Sequence, residues 1–142
     1  MSGGFQAIDS GMSESQHITP MKVRDSECDA QGVVNNANYL VYLEHARHEY
    51  LEAVGQHFAD LVTRNIFLMV SHMELDFLNS LKGGERFEVR SEFKRKGPKA
   101  VFHQQIVRVS DQVVCLKAKV DIICKIDGKL TRGAYFDEWK LS

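Results

Sequence analysis

One helix-period segment followed only by strand-period segments is what most narrows the folds open to this chain of 142 residues. Tyr39, Leu43, Ala46, Tyr50 and Val54 return to one face at the helical repeat of about 3.6 residues, while Glu44, His45, His48 and Glu52 lie away from that stripe. Gly55 supplies a C-cap, and a short second helical piece is expected around residues 58–63. From residue 66 onward alternation takes over. Phe67, Met69, Ser71, Met73, Leu75 and Phe77 share one side of the first strand, and Phe87, Val89 and Phe93 share one side of the next. Residues 101–109 are apolar on both sides, as in a strand covered twice, and Leu116, Ala118, Val120, Ile122, Cys124 and Ile126 alternate with polar neighbours. Gly83-Gly84, Gly97-Pro98 and Asp127-Gly128 turn the chain, the last leading into a strand at residues 129–133. One apolar sheet face and one apolar helix stripe can cover each other. The expected architecture is therefore α+β, a curved antiparallel sheet wrapped around one long central helix, with the helix start at a sheet edge that invites a second subunit.

Size and composition fit that solution. A chain with 44% hydrophobic and 26% charged residues forms one domain and buries a core without metal or disulfide support. Residues 1–18, rich in Gly and Ser, read as a flexible tail before a domain at 19–142. A net charge of −1 gives no global reason to expect nucleic acid or an anionic membrane as partner. The longest apolar run, residues 66–70, is far short of the roughly 20 residues of a spanning helix, so no membrane insertion is expected. Cys28, Cys115 and Cys124 are an odd set without C-x-x-C spacing, which favours a reducing compartment over a disulfide framework or zinc site. Lys22 is the first basic residue, so a secretory signal is not recognised. The expected location is the cytoplasm, or an organelle stroma or matrix after removal of a targeting peptide.

Chemistry concentrates at Asp29-Ala-Gln-Gly32-Val-Val-Asn35-Asn36-Ala-Asn-Tyr39, where a carboxylate stands just before a helix start. The first turn of a helix offers unpaired N–H donors and the positive end of a dipole. A carboxylate beside them works on a carbonyl polarised by those donors, which suggests acyl chemistry. The plain alternative is that Asp29 only shapes the turn and caps the helix. His45-x-x-His48 has a ligand-like spacing but lies off the core stripe, and no metal is assigned. His72 and His103 read as ordinary strand histidines and Cys28 as a small filler. Lys94-Arg95-Lys96-Gly-Pro-Lys99 is the one local basic feature, a solvated turn or an anion site.

The run from Val23 to Tyr39, with Arg24, Asp25, Glu27 and Asp29 in it and Glu44-x-x-Arg47-x-Glu49-Tyr50 behind it, resembles hot-dog-fold thioesterases of the 4-hydroxybenzoyl-CoA thioesterase type. Its wording is most similar to plant acyl-ACP thioesterases related to methylketone synthase and to bacterial acyl-CoA thioesterases. The resemblance implies hydrolysis of fatty acyl-CoA or acyl-ACP thioesters without a cofactor, by a homodimer or homotetramer. Asp29 then acts as nucleophile or general base, with the backbone N–H of Asn36 or Ala37 as oxyanion donor. Gly32, Asn35 and Tyr39 would border the substrate, and Lys94, Arg95, Lys96 and Lys99 would meet CoA phosphates or an acidic carrier protein. Glu27 is expected to raise the pKa of Asp29 if both face the pocket. Many relatives carry His where Val33 stands, or Tyr-His where Asn35-Asn36 stand, so those side-chain roles do not transfer. A dehydratase would need a catalytic His motif that is not found. The remaining alternative is an acyl-binding or interaction module without catalysis.

Overall fold

The computed structural model describes residues 16–140. Strand β1 (His17–Lys22) leads through a 3-10 turn (Asp25–Glu27) and the Asp29 loop into helix α1 (Asn36–Ala53), followed by the short helix α2 (Phe58–Thr63). Strands β2 (Ile66–Phe77), β3 (Arg86–Lys96), β4 (Lys99–Arg108), β5 (Val114–Ile126) and β6 (Lys129–Leu130) complete the sheet, and a 3-10 turn (Ala134–Glu138) closes the chain. Residues 1–15 of the expected tail lie outside the described residues, but Gln16 is buried and His17 and Ile18 already pair with Ser91 and Arg90. Strand β1 thus starts two residues before position 19.

All pairings are antiparallel, in the order β1-β3-β4-β5-β2, with β6 on β5. The sheet packs its inner face on α1, as the two apolar patterns required. Leu43 and Ala46 are fully buried, and Tyr39, Tyr50 and Val54 nearly so, against Phe87, Val89, Phe102, Ile106 and Leu116. Tyr42, Arg47 and Leu51 are buried too, so the helix stripe is wider than the sequence stripe. Among the described residues no helix is long and apolar enough to cross a membrane.

Two strands depart from the sequence reading. In β2 a bulge lies between Val70 and His72, which pair with the adjacent residues Ile122 and Asp121. The extra residue, Ser71, reverses the phase of alternation. Before the bulge Ile66 and Leu68 turn inward while Phe67 and Met69 are exposed; after it Met73 and Leu75 turn inward. The single face expected from Phe67 to Phe77 is therefore split. The last expected strand, residues 129–133, shortens to Lys129–Leu130 because Gly133 takes φ +89° and turns the chain. Trp139 beyond it packs against Phe93 and Phe102, Tyr135 and Phe136 pack on Trp139, and the three close that end of the core.

Candidate active site

The Asp29 loop is built by local hydrogen bonds. Cys28 and Val34 form an antiparallel bridge, and between them Gly32 adopts φ +81°, a conformation that glycine reaches without the penalty of a Cβ. Asp29 Oδ1 accepts from the Gln31 amide at 2.9 Å and the Val33 amide at 3.4 Å, while the Asp29 amide donates to Val33 O at 2.9 Å. Both readings of Asp29 are thus visible at once. One carboxylate oxygen shapes the turn, and Oδ2 makes no hydrogen bond within the described residues.

Helix α1 starts at the far side of this loop. Asn35 is its N-cap, with extended backbone and Oδ1 accepting from the Ala37 amide at 2.9 Å. The Ala37 N–H, expected as an oxyanion donor, is thus engaged by the cap. The Asn36 N–H, one residue earlier, has no acceptor among the described residues and is the donor left at the helix start. Asp29, Asn35, Asn36 and Tyr39 line one groove of about 360 Å³. Its opposite wall comes from the end of β2 and the turn after it, Phe77, Leu78, Asn79 and Ser80. Those four were not anticipated from sequence. Phe77 and Leu78 remain about half exposed, and Asn79 is held by its side chain on Val114 O at 2.9 Å.

Tyr39 contributes its ring rather than its hydroxyl. The hydroxyl accepts from the Leu81 amide at 3.0 Å and the side chain is 3% exposed; burial raises its pKa. Gly32 shapes the loop and does not border the groove.

Glu27 departs from its expected place. Its carboxylate turns away from the groove and accepts from the Arg24 amide at 2.8 Å, the Arg24 guanidinium at 2.9 Å and the Tyr42 hydroxyl at 2.8 Å. Its carbonyl receives the Asn35 amide at 3.1 Å and Asn38 Nδ2 at 2.8 Å. Burial pushes its carboxyl up, but the Arg24 amide, the Tyr42 hydroxyl and the Arg24 guanidinium outweigh it and leave the pKa below the ordinary value. Glu27 therefore ties the loop to α1 and does not face the groove. Cys28 is half-buried and free, and partial burial with the carboxylates of Asp25, Asp29 and Glu27 raises its thiol pKa, the opposite of an activated nucleophile.

The basic turn is not brought to Asp29 within one chain. Phe77 pairs with Leu116, Leu116 with Ile106 and Ile106 with Val89, so the groove sits at the level of Val89. Lys96 lies further along β3, roughly 23 Å away at about 3.3 Å per residue. Arg95 is engaged by Asp137 at 2.6 Å and by the carbonyls of Gly97 and Arg132, and Lys99 by Asp121 at 3.3 Å. Lys94 and Lys96 are exposed at the tip. His45 and His48 are exposed on α1, His72 faces Glu74 at 3.3 Å, and no group of three or more His, Cys, Asp or Glu gathers for a metal among the described residues.

Comparison with known proteins covers nearly the whole described chain. The family model of the thioesterase-like superfamily matches residues 23–140. The chloroplastic acyl-acyl carrier protein thioesterase ATL3 of Arabidopsis thaliana is 36% identical over 110 residues, 77% of this chain and 57% of the relative. The acyl-CoA thioesterase YbgC of Haemophilus influenzae is 29% identical over 123 residues, 85% of this chain and 89% of the relative. The chain thus spans little more than half of the two Arabidopsis relatives it matches, 57% and 55%. A DHNA-CoA thioesterase from Staphylococcus aureus superposes with a TM-score of 0.78 at 24% identity, covering 87% of this chain and 85% of that one. That likeness shares the hot-dog fold: a curled antiparallel sheet around one main helix.

Proposed function

The chain belongs to the thioesterase-like superfamily, and on that premise we propose that it hydrolyses acyl-CoA or acyl carrier protein thioesters to free acid and thiol, with Asp29 as the reacting carboxylate. The observation that carries this reading is the shared groove. It holds a carboxylate with one oxygen fixed and the other uncommitted, opposite the one helix-start amide that no cap engages. A thioester carbonyl seated there directs its oxygen to the Asn36 N–H, an interaction typically worth about 3 kcal/mol in the barrier. Asp29 Oδ2 takes a proton from water, the hydroxide adds to the carbonyl carbon, and the tetrahedral intermediate expels the thiolate, which recovers the proton. In the covalent variant Oδ2 itself adds to the carbonyl, the thiolate leaves, and water cleaves the mixed anhydride. Label from ¹⁸O-water in Asp29 after a single turnover identifies the covalent route with water adding to the Asp29 carbonyl.

The same reading includes a dimer through β2. This strand is one edge of the sheet, and it exposes Phe67, Met69 and Val70 by 46–56%. A long edge with apolar side chains is a template for pairing. Antiparallel pairing of two β2 strands sets the Phe77 end of one against the Ile66 end of the other. Ile66 pairs with Ile126 near the hairpin end that carries Lys96 and Lys99, so the partner's basic turn approaches this chain's groove. Lys94 and Lys96 then meet CoA phosphates or an acidic carrier protein in trans. The three free cysteines support a reducing compartment, cytoplasm or organelle stroma.

The deciding experiment is thiol release from acyl-CoA and acyl carrier protein esters of graded chain length by wild type, Asp29→Asn and Asp29→Ala. Full activity in both variants removes Asp29 from the mechanism. Wild type inert on every ester, yet binding acyl chains, supports the non-catalytic module, a reading favoured by the turn-forming role of Oδ1.

A further inference from the structure

Away from the Asp29 groove, a second pocket of about 100 Å³ opens between α1, α2 and β2. Its walls are mostly apolar, with Leu51, Phe58, Leu68, Phe102 and Trp139 among them, and its β2 side, Met69 and Val70, belongs to the edge that the proposed dimer pairs. Arg47 lines it while only 6% exposed. The guanidinium donates through Nη1 to Gln104 Oε1 at 3.0 Å. Gln104 is itself fixed, its Nε2 donating to Leu43 O at 3.1 Å and to Ser91 Oγ at 3.0 Å. A neutral amide oxygen therefore answers one of the several N–H bonds of a group that stays charged in proteins. None of the ion pairs among the described residues involves Arg47. Burial holds its pKa below the usual value, with the field of Glu44 acting the other way. Glu44 borders the pocket one turn earlier but is exposed to solvent.

A buried cation whose one nearby carboxylate, Glu44, is exposed and makes no ion pair with it is costly, and such groups are as a rule paired. Here the cation stands inside apolar walls, which is the complement of a hydrocarbon chain with an anionic end. We propose that this pocket binds an aliphatic chain ending in a carboxylate, which pairs with Arg47. Only the origin of that chain rests on the thioesterase reading. It is either the free fatty acid that hydrolysis releases or the far end of a dicarboxylyl group whose other end is still a thioester. Arg47 lies about 16 Å along α1 from Asn36 at a rise of about 1.5 Å per residue, so the carboxylate held here is not the group reacting at Asp29.

Trp139 is the only tryptophan in the chain and lines this pocket, so its fluorescence reports occupancy. Octanoate and octanamide titrated into the full chain differ only in the charge of the end group. Octanoate is expected to change Trp139 emission saturably and to bind at least tenfold more tightly than octanamide. Arg47→Gln abolishes the preference and Arg47→Lys retains part of it. Equal affinities in wild type, or an undiminished preference in Arg47→Gln, overturn the proposal. The first comparison needs no variant and stands even where Arg47→Gln fails to fold. Thiol release from the CoA esters of octanoic and hexadecanoic acids and from the monothioesters of octanedioic and hexadecanedioic acids, the longer pair reaching from Asp29 to Arg47, then separates the sources. A tenfold or greater kcat/KM advantage for the dicarboxylyl ester, lost in Arg47→Gln, assigns the pocket to the substrate's far end. Octanoate binding without that advantage assigns it to the free acid. A protein inert on all thioesters removes the hydrolase reading and leaves the binding result intact.

Discussion

The Tyr42 hydroxyl donates to Glu27 Oε1 at 2.8 Å, joining the second turn of α1 to the 3-10 turn that precedes the Asp29 loop. This bond ties the helix that supplies the Asn36 N–H to the loop that carries Asp29. A hydrogen bond to a buried charged group contributes about 1.5–3 kcal/mol. Tyr42→Phe is expected to lower stability by that order in urea titration. It is also expected to reduce kcat by several-fold without removing either reacting group. Full activity with lowered stability means that the groove keeps its geometry without this tie.

The same carboxylate makes stability depend on acid. The folded-state pKa of Glu27 is depressed, so its contribution is fully present above the ordinary value of 4.5 and is lost as pH falls from there through the folded value. Unfolding free energy of wild type is expected to decline over that window. Glu27→Gln should be less stable at neutral pH and show a shallower decline, and parallel curves remove the linkage.

In the proposed mechanism Asp29 serves the turn through Oδ1 and the reaction through Oδ2, so two substitutions should separate the roles. Asp29→Asn keeps an oxygen able to accept from Gln31 and Val33, whereas Asp29→Ala keeps none. Both are expected to lose at least a hundredfold in kcat, within the range of about 10²–10⁴ for a general base. Only the alanine variant should also lose about 1 kcal/mol of stability. Equal melting temperatures for the two count against the turn-forming role.

Gly133 and Gly32 both have positive φ but differ in their surroundings. A Cβ on Gly133 would lie 2.8 Å from the Pro98 carbonyl oxygen, while one on Gly32 meets nothing within 4 Å. Gly32→Ala is expected to cost about 1–2 kcal/mol, the ordinary penalty of the left-handed region. Gly133→Ala carries the same penalty and a backbone clash, and it should be the more destabilising in thermal melts. The reverse order would mean that the Pro98 turn yields readily.

The β2 edge and the basic turn make linked predictions. Val70→Lys, or Met69→Glu, should shift the protein to monomer in light scattering and reduce thiol release. Ala at both Lys94 and Lys96 should leave assembly intact, raise KM for acyl-CoA three- to tenfold and weaken its salt dependence, with kcat within about twofold. Unchanged KM returns the basic turn to the role of a solvated tip.

The legible parts of this molecule were those written in local patterns. The α1 stripe, the strand alternations of β3 and β5 and the turn at Gly97-Pro98 depend on neighbours a few residues away, and they hold. What escaped was set by distant partners. The groove's far wall, Phe77 to Ser80, faces Asp29 only because the β2 end is carried across the sheet to the loop. Glu27 read as a neighbour of Asp29 because sequence distance says nothing about which way a carboxylate turns. Arg47 had a signal, since it falls one turn after Leu43 at the edge of the buried stripe, but a charged residue there was not read as buried. The β2 phase was misjudged because a bulge leaves no compositional trace at Ser71.

That bulge also limits how a second copy can attach. A regular edge strand accepts an identical neighbour at several offsets, each sliding the pair by whole repeats. An edge whose inward side switches at Ser71 offers different surfaces above and below that point, so most offsets set an apolar row beside a polar one. The irregularity works as a ratchet stop. In the proposed dimer it narrows the alignments open to the two chains, and with them the spacing between their two grooves.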